Sequence, residues 1–344
     1  MNHSYPSVTA SVIRSLIAIG LSLGAAVTVH AADKEVTIAY QDMVVPWRHA
    51  QDMDELAKAT GYKINYRKFG GGGDVIRAMA SGNVQIGEAG SSPVAAGLSQ
   101  GLPIQIFWIL DNINDAEALV GRTGSGAIDM ASLKGKRLGV PFVSTSHFHA
   151  LLALKQAGLS DKDVKVLNMR PPEIAAAWDR GDIDAAFIWN PVLSKLKTSG
   201  KVLTSSGKIE EQTGYATFDA MVVNTDWVKD HGPFMTAMVK ILAKTDADYR
   251  ANPAGWTGDT AKGAAVAKIS GATKEEVAPS LALYQYPTVA EQGSVRWLSG
   301  GKTSGVAKSL TATAEFLKTQ KSIQTVLPDY SVGVTDMWVK AAAK

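Results

Sequence analysis

Residues 70–87 read GGGGDVIRAMASGNVQIG, in which a short helical pattern ends at a Ser-Gly turn and a strand-like run follows. The arrangement returns in residues 171–189, PPEIAAAWDRGDIDAAFIW, where proline begins the helix and an Arg-Gly-Asp turn ends it. Each strand leads into a polar elbow that contains proline, at residues 90–93 and 189–191. The repetition predicts two lobes of similar build with a cleft between them.

Short β-branched or apolar runs alternate with helical segments along most of the chain. This alternation predicts an α/β fold in which mostly parallel sheets are connected by crossover helices. We expect strands over residues 36–40 and 63–67, with one helix over residues 47–60 between them. The last third of the chain, from Trp227, has mainly helical periodicity.

Two crossing segments divide the chain on this interpretation. Residues 118–121 form the expected outbound strand and residues 218–224 the expected return strand. Lobe one then comprises residues 32–121 and 219–344, the latter including the carboxy-terminal helices, and lobe two comprises residues 122–218. A mature chain of roughly 310 residues is long enough for two such units.

The amino terminus has the pattern of a cleaved export signal. Arg14 precedes an apolar stretch from Leu16 to Val29, which meets a small-residue site at Val29-His30-Ala31. The stretch is shorter than the roughly 20 residues that a spanning helix needs, so an uncleaved anchor is the less favoured alternative. We therefore predict a signal peptide over residues 1–31 and a periplasmic location for the mature chain.

The composition excludes several classes of function. The chain of 344 residues has no Cys, which excludes disulfides, thiolate catalysis and Cys-based zinc sites. Its formal net charge is +3, and Arg14 is the only Lys, Arg, Asp or Glu in residues 1–31, which leaves +2 for the mature chain. Basic and acidic residues are interspersed, so we expect no nucleic-acid partner. We also expect no cofactor and a monomeric protein.

Hydroxyl-rich elbows open two of the predicted helices. Residues 90–93 (GSSP) and residues 143–147 (VSTSH) each join a strand to a helix. Free backbone N–H groups and the positive end of the helix dipole bind anions at such a terminus, and hydroxyls add donors. A structural cap without a ligand is the alternative for either elbow alone. Two such elbows at strand ends, one in each predicted lobe, favour a ligand cleft.

Seven segments become specific when they are taken together and in order. They are RKF (67–69), ASGNVQIG (80–87), GSSP (90–93), VPFVSTSH (140–147), PP (171–172), AWDRGDID (177–184) and WNP (189–191). In this order they resemble the taurine-binding receptors of the aliphatic sulfonate and nitrate family, over essentially the whole mature chain. The resemblance implies a type II periplasmic binding protein, which delivers taurine or a near relative to an ABC permease in the inner membrane with its cytoplasmic ATPase.

The resemblance also implies where the ligand binds. In that family, hydroxyls and backbone amides hold the sulfonate between the lobes, and carboxylates hold the ammonium. The matching positions are Ser91, Ser92, Thr145 and Ser146 for the anion, Glu117 and Asp219 for the cation, Trp189 for the apolar wall, and Gln41, His147 and Asn190 as further contacts.

Two departures from the family pattern remove polar groups near the expected cleft. Val45 stands just before the proline of the first elbow, where taurine receptors commonly have Glu, and residues 70–72 are Gly-Gly-Gly instead of Asp-Ser-Gly. Glu88, Asp42 and Asp111 are the candidates to replace the missing acid. Another alkanesulfonate, nitrate or a thiamine precursor therefore stays open as the ligand.

An enzyme is the competing class, because the pyrimidine synthases of thiamine biosynthesis resemble this fold. The sequence lacks Cys, a two-His metal spacing and a Ser-His-Asp set with the order of an elbow nucleophile. We therefore predict a binding protein without catalytic or metal-ligating residues. A sensor or scaffold that presents a closed pair of lobes is a third hypothesis.

Overall fold

Two five-stranded sheets organise residues 34–343, which are the residues that the computed structural model describes. The predicted signal peptide lies outside the described residues. The ten strands within this range are β1 Glu35–Tyr40, β2 Lys63–Lys68, β3 Ile86–Gly90, β4 Ile104–Asn112, β5 Glu117–Arg122, β6 Arg137–Val140, β7 Lys165–Asn168, β8 Ala185–Trp189, β9 Gly200–Ser205 and β10 Phe218–Asn224.

The two sheets share one topology. The first has the order β2-β1-β3-β10-β4 and the second β7-β6-β8-β5-β9. In the first sheet β1 pairs in parallel with β2 and β3, and β10 runs antiparallel to both of its neighbours. In the second sheet β6 pairs in parallel with β7 and β8, and β5 is the antiparallel strand. The predicted α/β class with mostly parallel sheets is confirmed.

Helices cover both sheets. The fourteen α-helices within residues 34–343 are α1 Arg48–Asp52, α2 Glu55–Thr60, α3 Gly72–Ala80, α4 Ser91–Ser99, α5 Thr145–Gln156, α6 Pro171–Arg180, α7 Val192–Lys197, α8 Ser206–Thr213, α9 Gly232–Ala251, α10 Ala261–Ser270, α11 Lys274–Leu281, α12 Val289–Gln292, α13 Gly305–Thr319 and α14 Met337–Ala342. We call the first sheet with α1–α4 and α9–α14 the first lobe, and the second sheet with α5–α8 the second lobe.

Two expectations about these elements are corrected. Residues 118–121 were expected as the strand that leaves the first lobe, but β5 pairs with β8 and β9 and therefore belongs to the second sheet. The outbound crossing is the short segment between β4 and β5. The single helix expected over residues 47–60 is two helices, because Asp54 between them adopts a left-handed conformation with φ of 52°.

The central strand β8 of the second sheet is buried on both faces, which explains its uniformly apolar sequence. All five residues of β8 are buried, and the first four alternate between two hydrophobic clusters. Ala185 and Phe187 pack in one cluster with Leu138 and Leu154, whereas Ile188 packs in the other. A third and larger cluster surrounds the first sheet and includes residues of the carboxy-terminal helices.

The strand ends bring the predicted elbows together. Helix α4 begins directly after β3, and α5 begins a few residues after β6, so both helix N-termini lie at the carboxyl ends of parallel strands. Ligand sites of open α/β sheets are found at this edge. None of the helices within residues 34–343 has both the length and the apolar character that crossing a membrane requires.

Candidate functional site

A cavity lies between the two lobes. Both lobes contribute to its wall. The lining residues are Gln41, Met43, Gly72, Gly90, Pro93, Asp219 and Tyr284 from the first lobe, and Glu117, Ser144, Thr145 and Trp189 from the second.

Two buried carboxyl groups face the cavity, one from each sheet. Glu117 is the first residue of β5, and its carboxylate accepts hydrogen bonds from the hydroxyls of Thr145 at 2.6 Å and Ser206 at 3.3 Å. Burial raises the pKa of Glu117 to about 7, and these hydroxyls oppose the rise. Burial, followed by the charge of Glu117, raises the pKa of Asp219 well above its ordinary value. A cation bound in the cavity would stabilise the ionised form of both carboxyl groups.

A third carboxylate, Glu88, is already neutralised. Its Oε1 lies 2.6 Å from Arg48 Nη2, and both side chains are 0% exposed. Glu88 also accepts hydrogen bonds from Trp47 Nε1 at 3.1 Å and from the main-chain N–H of Gln41 at 3.2 Å. Arg48 also donates hydrogen bonds to the side chain of Gln51 and to main-chain carbonyls, including that of Met43. Glu88 therefore stabilises the packing beside the cavity and does not offer a free carboxylate to a ligand.

The start of α4 presents hydroxyls that the protein itself does not use. Ser91 and Ser92 are fully buried, and neither Oγ has a hydrogen-bond partner among residues 34–343. Gly90 precedes them, and a Cβ at this position would lie 2.9 Å from Thr145 Cγ2 and 3.3 Å from Asp219 Oδ1. Glycine therefore allows the start of α4 to approach the second lobe closely.

The start of α5 is capped by its own sequence. Ser144 Oγ accepts a hydrogen bond from the main-chain N–H of His147 at 3.0 Å and donates to the carbonyl of Pro141. Thr145 and Ser146 are the first two residues of the helix, and both are buried. Their main-chain N–H groups lie at the positive end of the helix dipole, where an anion is stabilised.

The structure brings most of the predicted site residues together. Gln41, Glu117, Thr145, Trp189 and Asp219 line the cavity. The predicted residues Ser91, Ser92 and Ser146 are fully buried at the two helix starts described above.

Like Ser91, Ser92 and Ser146, the predicted contacts Asn190 and His147 do not line the cavity. The amide oxygen of Asn190 accepts from the main chain and the hydroxyl of Ser194, both at 2.8 Å, and its amide nitrogen donates to Ser280 at 2.7 Å. The His147 ring stacks on Phe142 with centroids 4.4 Å apart, and burial lowers its pKa to about 4. Both side chains therefore have structural partners, and sequence order alone did not distinguish them from the wall residues.

Tyr284 is a cavity residue that the sequence did not reveal. It follows α11 in an irregular segment, and a short antiparallel bridge between Asn112 and Gln285 holds that segment against β4. The main-chain hydrogen bonds of this bridge measure 2.8 and 3.1 Å. No motif marks Tyr284, because its position depends on a pairing between residues far apart in the chain.

The acids proposed as replacements for the missing Glu have different surroundings. Asp42 accepts a hydrogen bond from Trp189 Nε1 at 3.2 Å across the cleft, and burial raises its pKa. Glu88 is paired with Arg48. Asp111 is fully buried, and neither of its carboxylate oxygens has a hydrogen-bond partner among residues 34–343. Within the same range, no three His, Cys, Asp or Glu side chains are grouped to hold a metal ion.

The chain is similar to known proteins in sequence and in fold. The profile of the family described as NMT1/THI5 like matches residues 58–255. The chain belongs to this family. A curated relative, the taurine-binding periplasmic protein of Escherichia coli strain K12, is 38% identical over 306 residues, which cover 89% of this chain and 92% of that protein. The resemblance seen in the sequence is thereby confirmed.

Solved structures place the NMT1/THI5-like chain in the two-lobed class. The alkanesulfonate-binding protein of Xanthomonas axonopodis pv. citri, bound to MOPS, has a TM-score of 0.73 with 23% identity, over 87% of this chain and 97% of that one. The ligand-binding component of an ABC-type import system from Staphylococcus aureus has a TM-score of 0.69 with 15% identity, over 90% and 98%. These likenesses confirm the fold.

Proposed function

We propose that the protein is a periplasmic solute-binding receptor of an ABC importer and that it binds taurine or a closely related aminosulfonate in the cavity between its lobes. One observation carries the proposal. Glu117 and Asp219 line the cavity together with Gly90 and Thr145 from the starts of α4 and α5, and the unused hydroxyls of Ser91 and Ser92 directly follow Gly90. Such a site provides donors for an anion and negative acceptors for a cation.

Desolvation is the physical reason why such a site suits a zwitterion. A zwitterion enclosed between two lobes loses its hydration at both charged ends, so the protein has to replace water at each of them. Ser91 and Ser92, with the main-chain N–H groups of α4 and α5, suit the sulfonate. Glu117 and Asp219 suit the ammonium, whose charge also relieves the cost of burying two acids close together.

Thr145 has a divided role on this assignment. Its hydroxyl donates to Glu117 at 2.6 Å, so it orients the carboxylate that receives the ammonium. Its main-chain N–H belongs to the first turn of α5 and remains directed to the anion. This residue therefore links the two ends of the proposed ligand, and Trp189 forms the wall between them.

A sulfonate without an amine is the second candidate ligand. The likeness to the alkanesulfonate-binding protein of Xanthomonas favours it, although that likeness concerns the fold alone. The cavity disfavours it, because Glu117 and Asp219 would stay buried without a cation. Nitrate and a thiamine precursor supply no better match for the two acids together with the anion donors.

The name of the Escherichia coli relative supports a periplasmic binding protein rather than an enzyme. The Staphylococcus structure, a component of an ABC-type import system, supports a membrane permease with an ATPase as the partner. We propose that the protein acts as a monomer that carries its ligand to this permease. The contact with the permease would then depend on the closed pair of lobes.

Calorimetric titration of the purified mature chain tests the function directly. The panel contains taurine, a longer aminosulfonate, ethanesulfonate, glycine betaine and nitrate. We expect taurine or the longer aminosulfonate to bind at least about tenfold more tightly than ethanesulfonate, because the amine adds a charged hydrogen-bond partner. Equal binding of taurine and ethanesulfonate would remove the ammonium role, and binding of neither would refute the proposal.

A further inference from the structure

Asp111 lies directly opposite Asp219 in the first sheet. The two residues are register partners on the antiparallel strands β4 and β10. Residues that face each other in such a pair share one side of the sheet, with Cβ atoms about 5 Å apart. The carboxyl group of Asp111 is therefore within reach of the carboxyl group that lines the ligand cavity.

Asp111 has no side-chain donor among residues 34–343. It is 0% exposed, neither carboxylate oxygen makes a hydrogen bond of good geometry there, and the main-chain N–H of Asp219 opposes the rise of its pKa. A buried ionised carboxylate without donors is costly, whereas a protonated one becomes a donor that can use a neighbouring carboxylate as acceptor. Asp219 is such an acceptor on the adjacent strand.

The charges around Asp111 have the same sign. Besides burial, negative charge on Asp219, on Glu88 of β3 and on Asp246 of α9 raises the pKa of Asp111 well above its ordinary value. The nearby buried guanidinium of Arg48 is already paired with Glu88. The ring hydroxyls of Tyr284 and Tyr286 also lie in this field, and neither contributes positive charge.

We propose that Asp111 is a positioning residue that keeps a proton and donates it in a hydrogen bond to Asp219, which holds the Asp219 carboxylate ionised and directed at the ligand's ammonium. This inference rests on the proposed function. It also assigns roles to the three candidate acids. Glu88 pairs with Arg48, Asp42 joins the lobes through Trp189, and Asp111 acts on the ligand through Asp219.

Charge balance in the closed cavity also favours a protonated Asp111. One ammonium cannot neutralise several ionised acids in a dehydrated cavity, so like-charged neighbours must stay protonated. A neutral Asp111 removes one negative charge next to Asp219 and adds a donor in its place. The ligand then meets an oriented carboxylate without repulsion behind it.

Two substitutions of Asp111 separate a donor from a mere space-filling side chain. Asp111→Asn keeps the shape and an N–H donor, whereas Asp111→Leu keeps a similar volume without any donor. We expect Asp111→Asn to bind taurine within about threefold of the unsubstituted protein and Asp111→Leu to bind it about tenfold or more weakly. Ethanesulfonate affinity should be equal in all three proteins, because it has no ammonium.

Asp248→Asn is the control, since it replaces an acid of α9 that pairs with Lys262 and is not among the charges that act on Asp111. It should leave taurine affinity unchanged. Thermal melting reports whether each variant folds, and Asp111→Ala replaces the Leu variant where that variant does not fold.

The outcomes distinguish this inference from the proposed function. Loss of taurine binding in a folded Asp111→Asn variant would show that Asp111 acts as a negative charge, which overturns the proposal. Unchanged taurine binding in the variant without a donor would also overturn it, because no hydrogen bond to Asp219 would then be needed. Failure of the unsubstituted protein to bind taurine would instead refute the proposed function itself.

Discussion

Asp219 and Glu117 reach the same cavity from different sheets, so the cationic end of the proposed ligand touches both lobes. Each acid is buried, and each has a raised pKa in the ligand-free protein. Burial of two acids side by side costs folding free energy that a bound ammonium offsets. The chemistry of the site therefore makes separate predictions for each residue.

Asp219→Asn should weaken taurine binding by about tenfold or more, because loss of a charged hydrogen-bond partner typically costs 1.5–3 kcal/mol. Calorimetric titration measures the change. Asp179→Asn is the control, since Asp179 is an exposed acid paired with Lys195 on the surface, and it should bind as the unsubstituted protein does. Similar affinities for Asp219→Asn and Asp179→Asn would exclude Asp219 from the site.

Taurine affinity should fall as the pH falls below about 7. The raised pKa of Glu117, about 7, means that this group is protonated below that pH, whereas the ammonium requires the ionised form. The dependence should approach about tenfold per pH unit for one linked proton. Titrations between about pH 5 and 8 measure it, and Glu117→Gln should remove this limb of the profile. A pH-independent affinity would contradict the role of Glu117.

The stability of the ligand-free protein should show the opposite trend. Because the folded pKa of Glu117 is raised from 4.5 to about 7, its contribution to stability is fully present below pH 4.5 and is lost as the pH rises through about 7. The loss should be no more than about 3 kcal/mol. Melting temperatures of the protein and of Glu117→Gln across this range test the sign.

Among the helices, α4 has two ends with different roles. Its start is proposed to bind the ligand, whereas its end stabilises the fold. Ser92 near its start has an unused hydroxyl, whereas Ser99 at its end bonds the carbonyl of Ala95 at 2.7 Å and the hydroxyl of Tyr330 at 2.6 Å. The first serine is therefore available to a ligand, and the second is engaged in packing α4 against the carboxy-terminal segment.

Ser92→Ala should weaken sulfonate binding about tenfold or more, with little loss of stability, because its hydroxyl has no partner in the ligand-free protein. Ser99→Ala should do the reverse and lower the free energy of unfolding by about 1 kcal/mol without changing affinity. Titration and denaturant unfolding of both variants provide the test. If Ser92→Ala binds as tightly as Ser99→Ala, α4 is not the anion site.

At the scale of the whole molecule, several contacts hold the lobes together. Trp189 Nε1 donates to Asp42 at 3.2 Å, Asn190 donates to Ser280 at 2.7 Å, and Arg170 lies 3.7 Å from Asp74. The Arg170 side chain is 66% exposed, so its ion pair contributes little. The described structure is accordingly a closed arrangement that ligand contacts from both lobes would favour.

The radius of gyration measured by X-ray scattering should decrease when taurine binds, because closure about the two crossing segments is the change that a shared ligand favours. Trp189→Phe removes the bond to Asp42 and should enlarge the ligand-free radius. Asp74→Asn is the control. It should leave the radius of gyration unchanged and change the affinity for taurine by no more than about a few fold. Tight taurine binding without any change in radius would rule out lobe closure as the signal for the permease.

Many of the elements, and several residues that line the cavity, could be predicted from the amino-acid sequence. Periodicity, glycine turns and hydroxyl-rich elbows act over a few residues, so they predicted α3 with β3, α6 with β8, and the starts of α4 and α5. The resemblance then indicated Glu117 and Asp219, which do line the cavity. The helix starts and turns depend on local geometry, which neighbouring residues specify.

Strand pairing and the surroundings of each buried acid became visible in the folded chain alone. It placed β5 in the second sheet, brought Tyr284 to the cavity through the bridge at Asn112, and set Asp111 opposite Asp219. Pairing between distant segments is decided by packing and burial of the whole chain, and the protonation of an acid is decided by the charges and solvent around it. Neither the strand pairing nor the protonation of a buried acid can be read from neighbouring residues in the sequence.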